Sequence, residues 1–411
     1  MDSKTTDMTA LPLGGTRLMA ASAAMLVIGI GTFLGMLAFG MQQHAWASLL
    51  QGMMIPTFVA IGGLFFIAVH SAANSTWTTP LRRVMEGLTA GLPLTVIAFA
   101  AIAFAGGGYL YEWVHLAGDA KTGSVTHHQL FHMNHTQGLN KAEWMTPGRW
   151  TATTLGIIAI WLFFRFMFVR LSVAQDGGAD IKARHVRLSI AWLMVMAVTF
   201  TLFCWDMILA LHVNFVSAMW GVYCFTSAVQ TFVAVLLLVV LWLRQGPLAG
   251  AVRTHTLHDL GTWTLVWSAF CAYIGFAQYL VVYYANLDEE TYFFLMRMQH
   301  GYGTAYLVET VLRFLVPFTF LMSQSMRTRP MALAVVSSLV LLGNWMDWSW
   351  LIMPAFSPNS YRGFYDLYTL LIGAGFAGGM LLLALAFWRK HGVLPKADPR
   401  LQSTINAEHL H

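Results

Sequence analysis

Charge is what this sequence has least of. Asp, Glu, Lys and Arg make up 10% of its 411 residues, where a soluble globular domain carries about 25%. Cysteine is scarce as well. Cys204, Cys224 and Cys271 all fall in apolar stretches, and no CxxC or CxxCH motif occurs. That excludes a disulfide framework, and with it a c-type haem or an iron–sulfur cluster ligated by this chain. Ten-residue runs of alternating apolar and polar residues are missing too, so a membrane β-barrel is excluded. The net charge of +5 has no contiguous soluble basic surface to sit on, and nucleic-acid binding needs one.

What the chain does have is apolar length. Hydrophobic residues are 57% of the sequence, and crossing a bilayer takes roughly 20 of them in a row. Windows of that size occur at about 18–40, 47–71, 85–109, 150–171, 188–211, 215–243, 261–284, 302–324, 331–353 and 366–388. The expected fold class is therefore an all-α integral membrane protein with about ten transmembrane helices, because a spanning helix satisfies its own backbone polar groups. Residues 1–16 form a polar N-terminal tail, leading into a first span read as an uncleaved anchor. Residues 17–388 form the transmembrane domain, and 389–411 a C-terminal tail.

Orientation follows from the basic residues. With the N-terminus in the cytoplasm, sixteen of the 23 Lys and Arg lie on the cytoplasmic side and five outside, while Arg165 and Arg313 lie within spans. Both termini are thus expected in the cytoplasm of a bacterial-type inner membrane. Three connections are long: an external loop at 110–149, a basic internal loop at 172–187 and an external acidic loop at 285–301. Pro56, Pro93 and Pro317 lie inside spans, where they kink helices and free carbonyls.

Ionisable residues inside a membrane are costly, so each is a functional candidate by default. Asp206 sits in the fifth span, with His212 and Asn214 following at the external surface. Glu309 and Arg313 lie four apart in the eighth span and so on one helical face. Asp347 sits in the outer third of the ninth span, and Asp366 opens the tenth. Asp206, His212, Glu309, Arg313 and Asp347 are candidates for a proton path or for hydrogen bonds to a quinol head. The structural alternatives are an internal Glu309–Arg313 ion pair, plain hydrogen bonding by Asp206 and Asp347, and helix capping by Asp366. His258 and Asp259 are candidates for an inner proton mouth or, equally, for capping the seventh span. In the external loop His128, His132 and His135 would share a face if helical, but without acidic or cysteine companions protein docking is favoured over metal, and no metal is assigned. The remaining spans offer no facing His pair for a b-type haem, since His70, His185, His212, His258 and His300 fall at helix ends.

Several segments resemble a known family. Residues 258–297, opening His258-Asp259-Leu260-Gly261 and containing Tyr284-Ala285-Asn286-Leu287, residues 204–225, and the Leu171–Asp176 segment (LSVAQD) are similar to the ActF-type subunits of bacterial alternative complex III. These belong to the NrfD-like, or polysulfide-reductase membrane subunit, family. The ordered match covers most of 17–388. Where such chains commonly read Ser-Leu-Asp-Pro-His, this one reads Ala-Leu-His-Val-Asn at 210–214.

The resemblance implies a membrane subunit of a respiratory quinol:cytochrome c, or quinol:oxidase, oxidoreductase that supports quinol oxidation and a candidate proton translocation. It implies two four-helix bundles, spans 2–5 and 6–9, flanked by spans 1 and 10. Implied partners are a sister NrfD-like subunit, an iron–sulfur subunit resembling molybdopterin oxidoreductases, multihaem and monohaem cytochromes c, small membrane subunits and a terminal oxidase. Haems and iron–sulfur clusters would reside in those partners. This chain would bind no covalent cofactor, with quinone or quinol and lipids as its candidate ligands. The alternatives are a catalytic quinol-binding subunit paired directly with an iron–sulfur protein and, from another class, a secondary transporter or a pure scaffold.

Overall fold

A computed structural model describes residues 15–114, 144–212, 215–357, 366–395 and 397–401. His128, His132 and His135 of the external loop, and Asn214, lie outside the described residues. Among those described, helices and their connections account for the whole fold, and no strand occurs. Ten helices are long and apolar enough to cross a membrane: α1 Gly15–Ala38, α2 Gln42–Ala72, α3 Thr79–Leu110, α4 Pro147–Asp176, α5 Lys182–Leu211, α6 Trp220–Leu243, α7 Thr254–Ala285, α8 Tyr302–Leu321, α9 Pro330–Ala355 and α10 Leu367–His391. A further short helix, Asp288–Met298, links α7 to α8. The ten spans expected from apolar length correspond one to one with these helices, most of which extend a few residues further.

Burial sorts the helices. In the most apolar stretch of α2, 83% of residues are buried, against 11% in α1. Helix α2 forms the middle of the fold and packs on α3, α5, α6 and α10. Around the rest, α3 contacts α4, α4 contacts α5, α6 contacts α7 and α9, and α8 contacts α7 and α9. Outward-facing surfaces are apolar, with Val27, Phe104, Phe163, Met194 and Phe276 all more than half exposed, which suits contact with lipid.

Close helix approach depends on small residues, because association in lipid rests on packing rather than on expelling water. At Gly62 in α2 a Cβ would lie 2.6 Å from Phe232 Cβ and 2.7 Å from the Ala228 carbonyl oxygen, both in α6. Helices α1 and α10 run antiparallel, Gly29 meeting Gly375 and Ser22 meeting Gly378. The start of α1 and the end of α10 therefore share one face of the protein, called the terminal face below. Residues 393–395 and 397–401 lie across that face, where Val393, Leu394 and Asp398 are buried.

At the opposite face Asp366 caps α10, accepting from the Tyr368 and Thr369 backbone N–H groups at 3.4 and 3.0 Å. The capping role expected of Asp366 is thus present, with an addition: His44 in α2 contacts the same carboxylate at 2.6 Å. Partial burial pushes this carboxyl up, but the bonds from His44 and Thr369 together outweigh it and hold it at about 2.

Two predictions follow from this packing. Gly62→Leu overfills the α2–α6 contact and should cost about 1–3 kcal/mol, seen as a lower thermal midpoint in detergent. Gly31→Leu, where a Cβ meets nothing within 4 Å, should leave the midpoint unchanged. For Asp366, a folded value of about 2 lies below the ordinary value of about 4. Its contribution to stability is therefore complete above about pH 4 and lost as pH falls towards 2. Midpoints measured from pH 6 to pH 2 should converge between wild type and Asp366→Asn at the acid end; a constant gap would refute the assignment.

Candidate functional site

Helix α8 is not a regular α-helix. Residues Val311–Leu315 form a π-helical turn, an irregularity that concentrates at functional positions. Pro317 follows it and has no N–H to offer the Arg313 carbonyl one turn back. Gln230 in α6 supplies a donor instead, its Nε2 lying 2.9 Å from that carbonyl oxygen. Gly343 in α9 leaves the space for the arginine, since a Cβ there would sit 2.5 Å from Arg313 Cγ.

The Arg313 guanidinium is buried and ties four helices together. Its Nη1 pairs with Asp347 Oδ2 in α9 at 2.7 Å. Its Nη2 donates to Ser227 Oγ in α6 at 2.6 Å and lies 3.3 Å from Cys271 Sγ in α7. Its Nε donates to Gln230 Oε1 at 3.3 Å. Asp347 is fully buried and also accepts from the Tyr223 hydroxyl and from Ser227 Oγ. Asn344 and Ser268 complete the cluster through Gln230, at 3.3 and 3.0 Å.

Glu309 stands beside this cluster without joining it. It is 2% exposed, and its Oε2 has no hydrogen-bond partner. The ion pair expected between Glu309 and Arg313 does not form; Arg313 pairs with Asp347. The physical reason is the π turn, which changes the angular spacing that four residues of α-helix would give. Two carboxylates and one guanidinium are thus buried together.

The other candidates lie elsewhere. Asp206 in α5 is buried and held bidentately by Arg149 of α4, at 3.0 and 2.9 Å, with the Trp144 indole at 3.2 Å. The pair forms one wall of a cavity of about 480 Å³ that is otherwise mostly apolar, with Trp113, Trp144, Trp150, Trp205 and Phe215 among the residues around it. His212 accepts from Arg297 Nη2 at 2.6 Å. Burial of its ring and the adjacent guanidinium hold His212 well below the usual imidazole range. Arg297 itself donates to the Trp350 and Leu351 carbonyls at 3.0 and 2.9 Å, closing the end of α9 as a basic side chain can at a helix C-terminus. His258 and Asp259 sit 3.5 Å apart, partly exposed near the terminal face. They do not cap α7, whose N-cap position is Arg253; they lie in its second turn.

Sequence reasoning missed a second buried cluster near the terminal face. Arg82 and Arg83 flank Glu86 at 3.8 and 3.5 Å. Arg82 also bonds Asp398 and Gln175, at 2.9 and 2.6 Å, while Arg83 pairs with Asp176. Arg400 closes on Asp398 at 3.0 Å. Three guanidiniums face three carboxylates, so this cluster is balanced. Arg82 and Arg83 lie just before the apolar window at 85–109, and Arg400 lies in the C-terminal tail. No protein-family model matches the chain, and no curated protein is significantly similar to it in sequence.

Removing one partner of a buried pair strands the other. Asp347→Asn should destabilise the protein by about 3–5 kcal/mol in thermal unfolding. Adding Arg313→Gln should recover much of that loss. A double variant as unstable as the sum of the two single changes would show the ions uncoupled.

Proposed function

We propose that this chain is an ActF-type, NrfD-like membrane subunit of a respiratory quinol-oxidising complex of the alternative complex III kind, and that its α6–α9 half holds and passes protons. The observation that carries the reading is the charge imbalance at Glu309, Arg313 and Asp347. A chain that spans the membrane yet buries a carboxylate with no cation has a place for one exchangeable proton. The segments that carry the family resemblance also supply groups around it: Tyr223 from 204–225, and Ser268 and Cys271 from 258–297.

On this reading the terminal face is cytoplasmic, in keeping with the sixteen basic residues assigned to that side, and the membrane is a bacterial inner membrane. The helix contacts support two four-helix bundles, α2–α5 and α6–α9, with α1 and α10 paired alongside. Quinol oxidation near the outer face releases two protons and two electrons; the electrons leave through haems and iron–sulfur clusters of partner subunits. Glu309 exchanges a proton while Asp347 stays ionised against Arg313. His258 and Asp259, partly exposed at the start of α7, provide polar groups at the inner mouth. A second reading is favoured by the Trp-walled cavity beside Asp206: its flat, apolar walls and single charged edge suit a quinol head group bound by this subunit itself.

The test is gentle detergent isolation of the tagged chain, with mass spectrometry of co-purifying proteins, a haem spectrum and a quinol:cytochrome c assay. Recovery with multihaem cytochrome c and an iron–sulfur subunit is expected. Glu309→Gln should then assemble normally but lower proton release per electron in reconstituted vesicles. Recovery of the chain alone, haem-free and inactive with quinol, would overturn the reading in favour of a transporter or scaffold.

A further inference from the structure

Hydroxyl groups on the outward faces of the spans show what lipid demands. Thr319 and Ser338 are exposed within α8 and α9, and Thr32 is partly so within α1. Each donates to a carbonyl four residues back in its own helix, at 2.7–2.8 Å. A tyrosine cannot do this, because its ring holds the hydroxyl away from the backbone, and it needs a partner from elsewhere. Exposed tyrosines therefore belong at helix ends, where the ring meets lipid and the hydroxyl meets water. Tyr109 stands at the end of α3, Tyr283 and Tyr284 at the end of α7, and Tyr368 at the start of α10.

Tyr273 is the exception among the described residues. It is 64% exposed, and its hydroxyl makes no hydrogen bond to any of them. It precedes Tyr283 by ten residues in α7, which at 1.5 Å per residue puts it about 15 Å deeper. That is half of a hydrocarbon core of roughly 30 Å. Side chains of a helix lean toward its N-terminus, which carries the ring further from the outer surface. A hydroxyl placed in hydrocarbon without a partner is costly. Val266, Phe270, Phe276, Val281 and Tyr284 are exposed around Tyr273, and a 3.6-residue period sets them on one side of α7. Ala277, one turn on from Tyr273, leaves room there for close helix approach. Beyond the outer end of this strip, Asp288 and Glu290 form no ion pair with any described residue. Arg297 of the same short helix is buried against the Trp350 and Leu351 carbonyls.

We propose that this side of α7 docks a transmembrane helix of a partner protein. That helix presents a hydrogen-bond acceptor to the Tyr273 hydroxyl at mid-membrane, and a Lys or Arg to Asp288 and Glu290 at its outer end. Acyl chains satisfy neither requirement, since they hold no acceptor at that depth and no charge. A second copy of this chain docked by the same face would set Asp288 and Glu290 against their like, because a twofold interface pairs each patch with itself. The docking surface uses none of the residues of the proton site, and its occupancy does not depend on what that site does.

The test places a photoreactive residue at the edge of the strip, Phe276→p-benzoyl-phenylalanine, in the tagged full-length chain made in its own cells. Membranes are irradiated, and the adducts are sequenced by mass spectrometry. The expected adduct is a transmembrane segment of another protein, with Ser, Thr, Asn or Gln inside it and Lys or Arg beyond its outer end. Tyr273→Phe should then lower recovery of that protein with the chain roughly three- to thirtyfold, the range for one hydrogen bond between membrane helices. The thermal midpoint of the chain by itself should not change, since the hydroxyl bonds nothing within it. Ala277→Trp, which fills the surface and leaves the hydroxyl in place, should lower the adduct yield as well. Adducts with lipid alone, with a second copy of this chain, or with a segment lacking an acceptor side chain would overturn the proposal. So would full recovery of the partner with Tyr273→Phe, and so would a lowered midpoint, which would put the role of the hydroxyl inside the chain.

Discussion

The ion pair of Arg313 and Asp347 is the interaction around which the second half of the chain is arranged. One guanidinium reaches α9 through Asp347, α6 through Ser227 and Gln230, and α7 through Cys271, while belonging to α8. A buried pair of this kind is weak evidence for net stability, since apolar residues of the same shape often do as well. Its effect is on register. Each partner fixes how far one helix can slide or turn against the others. Gly343 and the π turn are then requirements of the pair: one clears the path of the side chain, and the other turns it toward α9.

Proline extends the same logic to the backbone. In α8 Pro317 leaves the Arg313 carbonyl to Gln230. In α3 Pro93 likewise has no N–H for the Thr89 carbonyl, and Arg165 Nε of α4 donates to it at 2.9 Å. In hydrocarbon a freed carbonyl must find a donor, because water is not there to provide one. These two prolines thus each draw a polar side chain from a neighbouring helix into the interior. What differs between the two halves is charge. The Arg82–Arg83–Glu86 cluster is balanced by Asp176, Asp398 and Arg400, whereas the cluster around Arg313 holds one carboxylate more than it has cations.

Much of the fold was legible because the bilayer imposes one dominant rule. Ten apolar windows became ten long helices, since few other structures satisfy their backbone in lipid. The buried carboxylates were legible for the same reason: Asp206, Glu309 and Asp347 stand out against an apolar background. Their partners were not. Arg149 lies just before the apolar window at 150–171, yet it binds Asp206. Glu86 was missed although it lies inside the window at 85–109, because it sits at the window's edge next to Arg82 and Arg83. The Glu309–Arg313 spacing pointed to a pair that a single π turn undoes. Periodicity reports which face a residue takes on an ideal helix, and it fails where proline changes the helix.

The contrast between Glu309 and Asp347 decides which of them can serve the proposed role. Asp347 is pinned by Arg313, Tyr223 and Ser227. Protonating it would strand the guanidinium and break a network that spans four helices, a cost of several kcal/mol. Glu309 has no such ties, so gaining or losing a proton there disturbs no hydrogen bond of the cluster. When Glu309 ionises, the nearby Arg313 lowers the cost; when it is neutral, Asp347 alone suffices to balance the arginine. A fixed pair beside a free carboxylate thus gives two charge states of one geometry. That is what a proton-holding site needs, and a purely structural salt bridge would have no reason to keep the second acid.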